Sequence, residues 1–230
     1  MSAVKPKETL NAALPSLWNK RILPILASIR YALHVIVHPF DGFWDLKHEK
    51  RGTFAGATAI VVLTFVSRLL TLQYASFLFV DSNWENVNVW AEIAKILVPL
   101  SIWCIANWCL TTLFDGKGTM RDIYIMTGYA LTPYPLINIP LTLISNLLIS
   151  GEGAYYTFFS GLALVWCGIL LVCGLMMTHE YTLGKTILST LATIVAMLVI
   201  VILCLMIFSM ASEAVGYFAS IWKEIILRLT

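Results

Sequence analysis

The sequence predicts an all-α, polytopic integral membrane protein: five transmembrane helices, preceded by an N-terminal cytoplasmic interfacial helix and followed by a C-terminal amphipathic helix. Three observations carry that prediction. Of the 230 residues, 59% are hydrophobic and 12% charged, whereas an ordinary soluble domain has about 25% charged residues and just under half apolar. The apolar residues gather into five long runs separated by short polar segments, and a bilayer core asks roughly 20 residues of each run. At both ends of the chain the apolar residues recur instead at steps of three and four, as on an amphipathic helix. The net charge is only +2, and no Lys/Arg run is interleaved with aromatics. That excludes nucleic acid as the expected partner.

Residues 1–52 form the first unit. Pro24 interrupts the first apolar stretch and Arg30 follows it, so a cleavable signal-peptide core is not expected. Ile22, Leu26, Ile29, Leu33, Ile36 and Phe40 make one stripe, while Lys20, Ala27, Tyr31, His34 and His38 make another. With Arg21 and Arg30 on its flanks, this helix is expected to lie in the interface plane and to end at Pro39. His34 and His38 have no third ligand converging on them, so no metal is expected there. The stretch His38–Gly52, HPFDGFWDLKHEKRG, is then a charged threshold before the first apolar run. Asp41, Asp45 and Glu49 recur every fourth residue and would share a helical face, with Lys47, Lys50 and Arg51 beside it. Such a face is either a collar among lipid headgroups or a docking surface formed by Asp41, Trp44, Asp45, Lys47, Glu49 and Arg51.

Residues 53–210 form the membrane domain. The first run, Phe54 to about Val80, contains Arg68, about 21 Å from Phe54 along a helix. The other runs offer it no carboxylate, so its side chain is expected to snorkel outward; an ion-path or substrate role is the alternative. Asp81–Glu92 is a loop with Trp84 and Trp90 as interface anchors. The second run, Ile93–Phe114, holds Pro99, Trp103, Asn107 and Trp108, and DGKGTMRD turns the chain back. The third run, Ile123–Ile149, carries Gly128, Tyr129, Pro133, Pro135, Asn138 and Pro140. Each proline removes a backbone donor, so the helix should break. Thr132, Asn138 and Asn146 are the groups expected to satisfy the freed carbonyls. The break is either a packing kink or a transport site at the bilayer midplane. The fourth run, Ala154–Met177, places Gly161 and Gly168 on one face, with Gly174 near its end, for close helix approach. The fifth, Thr186–Met210, is the most uniformly apolar. In residues 211–230, Val215, Phe218, Trp222, Ile225 and Leu229 form a stripe expected to be a second surface-lying helix. All five cysteines, Cys104, Cys109, Cys167, Cys173 and Cys204, fall in apolar runs and are expected as buried free thiols.

Five spans put the termini on opposite sides. Eleven Lys and Arg residues fall on the N-terminal side and three on the other, which predicts a cell-membrane protein with a cytoplasmic N-terminus and the C-terminus on the opposite face. No Asp, Glu or Lys lies deep in the second through fifth runs. Coupled transporters generally need such groups. His179 with Glu180 in a short loop is too little for catalysis. No catalytic residue, metal or cofactor is therefore assigned. The expected function is a non-enzymatic scaffold or accessory subunit among membrane lipids, binding other integral membrane proteins. An autonomous carrier using the broken third span is kept as an alternative.

DGFWDLKHEKRG before the first run, GYALTPY at Gly128–Tyr134, and five closely spaced spans resemble the Yip1 domain family, particularly its bacterial members, over roughly Pro39 to Met210. Some bacterial relatives occur beside genes for carbohydrate ABC transporters, so the resemblance implies an accessory subunit bound to permease subunits. Eukaryotic members act in vesicle trafficking and bind Rab-type GTPases through a longer cytoplasmic region. That is the second alternative, and here the corresponding region is short and occupied by the interfacial helix.

Overall fold

The structure is a computed structural model and describes residues 23–79 and 87–229. Its helices are α1 (Leu23–Val37), α2 (Pro39–His48), α3 (Phe54–Tyr74), α4 (Val89–Phe114), α5 (Met120–Ala130), α6 (Pro133–Ile144), α7 (Gly153–His179) and α8 (Leu183–Leu229), with a 3-10 turn at Ser150–Glu152. Among the described residues, four helices are long and apolar enough to cross a membrane: α3, α4, α7 and α8 as far as Trp222. The chain is a multi-pass membrane protein.

The third apolar run, expected as a span of its own, is two helices of 11 and 12 residues, neither long enough to cross alone. They follow one another alongside α3 and in its direction. Gly128 packs on Ala57 and Thr58 Oγ1 lies 3.1 Å from the Tyr124 hydroxyl near the start of α3. Thr71 and Thr142 hydroxyls are 3.0 Å apart near its end, and Ser76 N–H donates to Ser145 Oγ at 3.1 Å just beyond. The pair together therefore covers the same length as α3. One end of the bundle, the threshold end, gathers the starts of α3, α5 and α8 with the ends of α2, α4 and α7. The far end holds the end of α3 and the start of α4.

Local chemistry sets the helix starts. The Thr53 side chain accepts the Gly56 N–H. Thr119 and Asp122 form a capping box, two orphan donors satisfied reciprocally. Asn88 caps α4 by accepting from the Trp90 and Ala91 N–H groups, so α4 begins at Val89 and takes Glu92 into its first turn, where the sequence suggested a loop.

At the N-terminal end, Pro39 both stops α1 and starts α2, where its fixed φ and missing donor cost nothing. The buried face of α1 is Ser28, Ala32 and Val35. Leu33 and Phe40 of the apolar stripe are exposed, while Ile22 and the Leu26 side chain lie outside what is described. The reason is general to membrane proteins: lipid accepts the large apolar side chains, and helices pack through small ones. Ser28 Oγ is 2.5 Å from the Tyr129 hydroxyl and 3.0 Å from Thr53 Oγ1. This tie fixes α1, the cap of α3 and the end of α5 together beside a core of Phe43, Ile60, Met126, Leu170 and Leu175.

The same logic corrects the glycine reading of α7. A Cβ on Gly161 or Gly168 would meet nothing within 4 Å, whereas one on Gly174 would fall 2.5 Å from Met126 Cγ. Cys104 and Cys167 are buried as expected, but Cys109 and Cys204 are exposed on the bundle surface. Residues 211–230 do not form a separate helix: α8 continues without a break to Leu229, 47 residues in all, or about 70 Å at 1.5 Å per residue. From Val201 onward every described side chain is exposed.

Candidate functional site

The charged threshold is a helix, and its inner side is consumed by contacts within the chain. Lys47 Nζ donates to Glu180 Oε1 at 3.1 Å, and Lys117 Nζ donates to Glu180 Oε2 at 2.6 Å. His48 Nε2 stands 3.7 Å from the same carboxylate. Glu180 thus joins α2, the α4–α5 loop and the end of α7. The Lys117 and Lys47 ammonium groups hold its carboxyl down to about 2, from an ordinary 4.5. Its backbone is left-handed, φ 57°, a conformation that costs a non-glycine residue free energy. Sequence reasoning passed over Glu180 as a functional residue. The available signal was a single acid in the Thr178–Lys185 turn, on the same side of the membrane as two lysine-bearing loops.

A second cluster tethers α2 to α1. The Tyr31 hydroxyl donates to Asp45 Oδ2 at 3.0 Å, and burial, followed by the Asp45 carboxylate, pushes its ionisation well above the ordinary tyrosine value. Arg51 pairs with Glu49 at 2.6 Å, lies 4.0 Å from Asp45, and places its guanidinium over the Tyr31 ring. Of the six residues singled out at the threshold, Asp45, Lys47, Glu49 and Arg51 are therefore engaged internally. Asp41 has no such partner among the described residues, and Asp41 and Trp44 are both exposed, together with Phe40, at 47% and 46% for the two aromatics. Trp44 stacks on His48 with ring centroids 3.7 Å apart. Residues 40, 41, 44 and 48 lie on one outward face of α2, by the spacing of a helix.

Beneath the Glu180 junction lies a buried polar chain. His179 Nε2 is 2.9 Å from Asn107 Oδ1, Gly118 N–H donates to His179 Nδ1 at 3.4 Å, and Asn107 Nδ2 donates to Thr193 Oγ1 at 3.4 Å. With Nδ1 accepting, the ring is the neutral Nε2–H tautomer. Both nitrogens are spoken for, which leaves this histidine no free base. The GKG turn is needed for the close approach, since a Cβ on Gly116 would fall 2.5 Å from His179 Nδ1.

The residues considered for a pathway are structural in their contacts. Pro133 deprives the Tyr129 carbonyl of its helical donor, and Thr132 Oγ1 supplies a replacement at 2.6 Å. Pro135 does the same to Leu131, whose carbonyl accepts from Tyr134 N–H at 3.1 Å. Asn138 Nδ2 donates to the Tyr134 carbonyl at 3.0 Å. Asn146 Nδ2 donates both to the Thr142 carbonyl of α6 at 3.2 Å and to the Tyr74 carbonyl of α3 at 2.8 Å. Gly128 sits against Ala57, and Tyr129 is wholly buried. Pro140 lies within α6, on its exposed side.

Arg68 is the clearest departure from expectation. It does have a carboxylate: Arg68 Nε lies 3.5 Å from Glu92 Oε2, and Lys95 Nζ pairs with Glu92 Oε1. The pairing arises because Asn88 starts α4 early enough to make Glu92 helical and turn it inward, where its side chain is only 8% exposed.

The Yip1 domain family matches residues 33–222, from α1 through the apolar part of α8. Among curated proteins and among solved structures no match was found.

Proposed function

Since the chain belongs to the Yip1 domain family, we propose that it is a non-enzymatic membrane scaffold or accessory subunit whose docking surface is the outward face of α2. The observation that carries the reading is the division of that helix. Its inner side is anchored by Lys47 to Glu180 and by Asp45 to Tyr31, while Phe40, Asp41 and Trp44 stay exposed. A rigid helix offering two aromatics and a carboxylate is suited to recognition, because little ordering remains to be done on binding. The earlier six-residue set narrows to Asp41 and Trp44 as contacts, with Asp45, Lys47, Glu49 and Arg51 holding them in place.

In this reading the threshold end is cytoplasmic, following the excess of Lys and Arg there, and α5 with α6 makes a fifth, kinked crossing in the cell membrane. The partner is an integral membrane protein, and a carbohydrate ABC transporter permease is the first to test. The engaged carbonyls around Pro133 and Pro135 favour a packing kink over a cation pathway, and the fully bonded His179 supports a role without catalysis.

The test is affinity isolation from native membranes in mild detergent. The wild-type chain should retain a stoichiometric membrane partner, and Asp41→Arg with Trp44→Ala should lose it while eluting as a folded species. Partner retention by the double variant would overturn the assignment of α2. A solitary wild-type protein that moves solute in liposomes would overturn the scaffold reading itself.

A further inference from the structure

At the far end, α3 and α4 follow one another in sequence yet touch only sparingly. A groove of about 450 Å³ lies there, with Arg68, Glu92 and Lys95 among its lining residues and Leu100, Trp103 and Leu171 among the others. That volume falls within the roughly 300–1,000 Å³ of ligand clefts. One further feature of its wall points to an occupant. Arg68 reaches Glu92 through Nε alone, and its terminal nitrogens have no partner among the described residues.

Among the described residues the charges at the mouth do not cancel: two cations share one carboxylate, where α3 is six residues, or about 9 Å, from its end. Trp103 lies eight residues past Lys95 on α4, about 12 Å further in, among apolar side chains. Leu164 on the groove wall is 59% exposed, so the groove opens sideways towards the membrane. A small soluble anion would leave the apolar depth unfilled, and an uncharged chain would leave the cations unmatched. An amphiphile with an anionic head satisfies both.

We propose that this groove binds one acidic glycerophospholipid, with its phosphate-bearing head between Arg68 and Lys95 and an acyl chain running past Leu100 and Leu171. Glu92 is a positioning residue: it holds the two cations together at the mouth. The site is separate from the α2 face, at the opposite end of the bundle, so each can be disproved without the other.

The experiment places the full-length chain in nanodiscs of equal phosphatidylglycerol and phosphatidylcholine and counts retained lipid by native mass spectrometry. A phosphatidylglycerol with a diazirine in its acyl chain maps the contact. One phosphatidylglycerol should be retained, with a preference on the order of fivefold for each cation at the mouth, and the label should fall on groove residues. Arg68→Gln with Lys95→Gln should bring the ratio to about one. Leu164→Trp, which fills the groove from an exposed position and leaves the charges intact, should abolish the retained lipid even if the charge variant fails to fold. Equal retention of phosphatidylcholine by the wild type, a preference that survives Leu164→Trp, or labelling confined to a second copy of the chain would each overturn the proposal.

Discussion

The proline break decides between a kinked scaffold and a cation pathway, and Thr132→Val tests it with little change of shape. The hydroxyl of Thr132 donates to the Tyr129 carbonyl at 2.6 Å, the acceptor that Pro133 leaves without its helical donor. Tyr129 O also accepts the Thr132 N–H at 3.2 Å, so the substitution removes one of two bonds and does not strand the carbonyl. The expected cost is therefore about 1 kcal/mol, the net worth of a hydrogen bond, and not the roughly 1–3 kcal/mol of an unsatisfied buried group. Pro133→Ala restores a backbone N–H aimed at the same carbonyl. In that background Thr132→Val should cost no more than a few tenths of a kcal/mol, a coupling readable in a double-mutant cycle. The assay is reversible unfolding in mixed micelles, followed by tryptophan fluorescence. Equal costs in both backgrounds would refute the reasoning. A stability that rises with sodium and is sensitive to Thr132→Val would return the pathway reading.

Other outcomes follow from the same contacts. Because the Glu180 carboxyl is held below its unfolded value, its contribution is present above about 4.5 and is lost as pH falls toward about 2; the difference in melting temperature between wild type and Glu180→Gln should be constant above pH 5 and shrink in that acid window, and a difference that grows on acidification would contradict the latch. Gly128→Ala should cost about 1–3 kcal/mol in the same unfolding assay, because its new methyl meets the Ala57 backbone as well as its side chain and the helices must part. Gly161→Ala and Gly168→Ala meet open space and should be neutral or stabilising by up to about 1 kcal/mol; destabilisation there, with a change in mass by light scattering, would reveal a helix partner. Asp45→Ala should lose about 1 kcal/mol through Tyr31, whereas Asp41→Ala should change stability by less than about 0.5 kcal/mol, so that a stability loss at Asp41 would mean its outward placement is wrong.

What the sequence disclosed, and what it hid, divides along a physical line. Membrane character, the stops at Pro39 and Pro133, and the threshold's helical spacing are local properties, carried by composition and by single residues that cannot extend a helix. Which face of a helix turns inward is not local. On α1 the stripe of larger apolar residues leaves Leu33 exposed, and the small residues Ser28 and Ala32, which the stripe does not single out, are the ones buried. Charge pairing across long separations was hidden for the same reason. Lys47 and Glu180 are 133 positions apart, so each reads as solvated until the fold joins them. The pairing of Arg68 with Glu92 was hidden by a smaller cause, the four residues by which the Asn88 cap advances the start of α4. That shift converts a loop acid into an inward-facing helical one and replaces a snorkelling arginine by a charged mouth. In a chain whose span interiors hold almost no ionisable groups, function is pushed to the two ends of the bundle. There the threshold end offers a carboxylate between aromatics, and the far end offers cations above an apolar cleft. With the two proposed sites at opposite ends, one for protein and one for lipid, the arrangement is that of a scaffold that must seat a partner in a particular lipid surrounding.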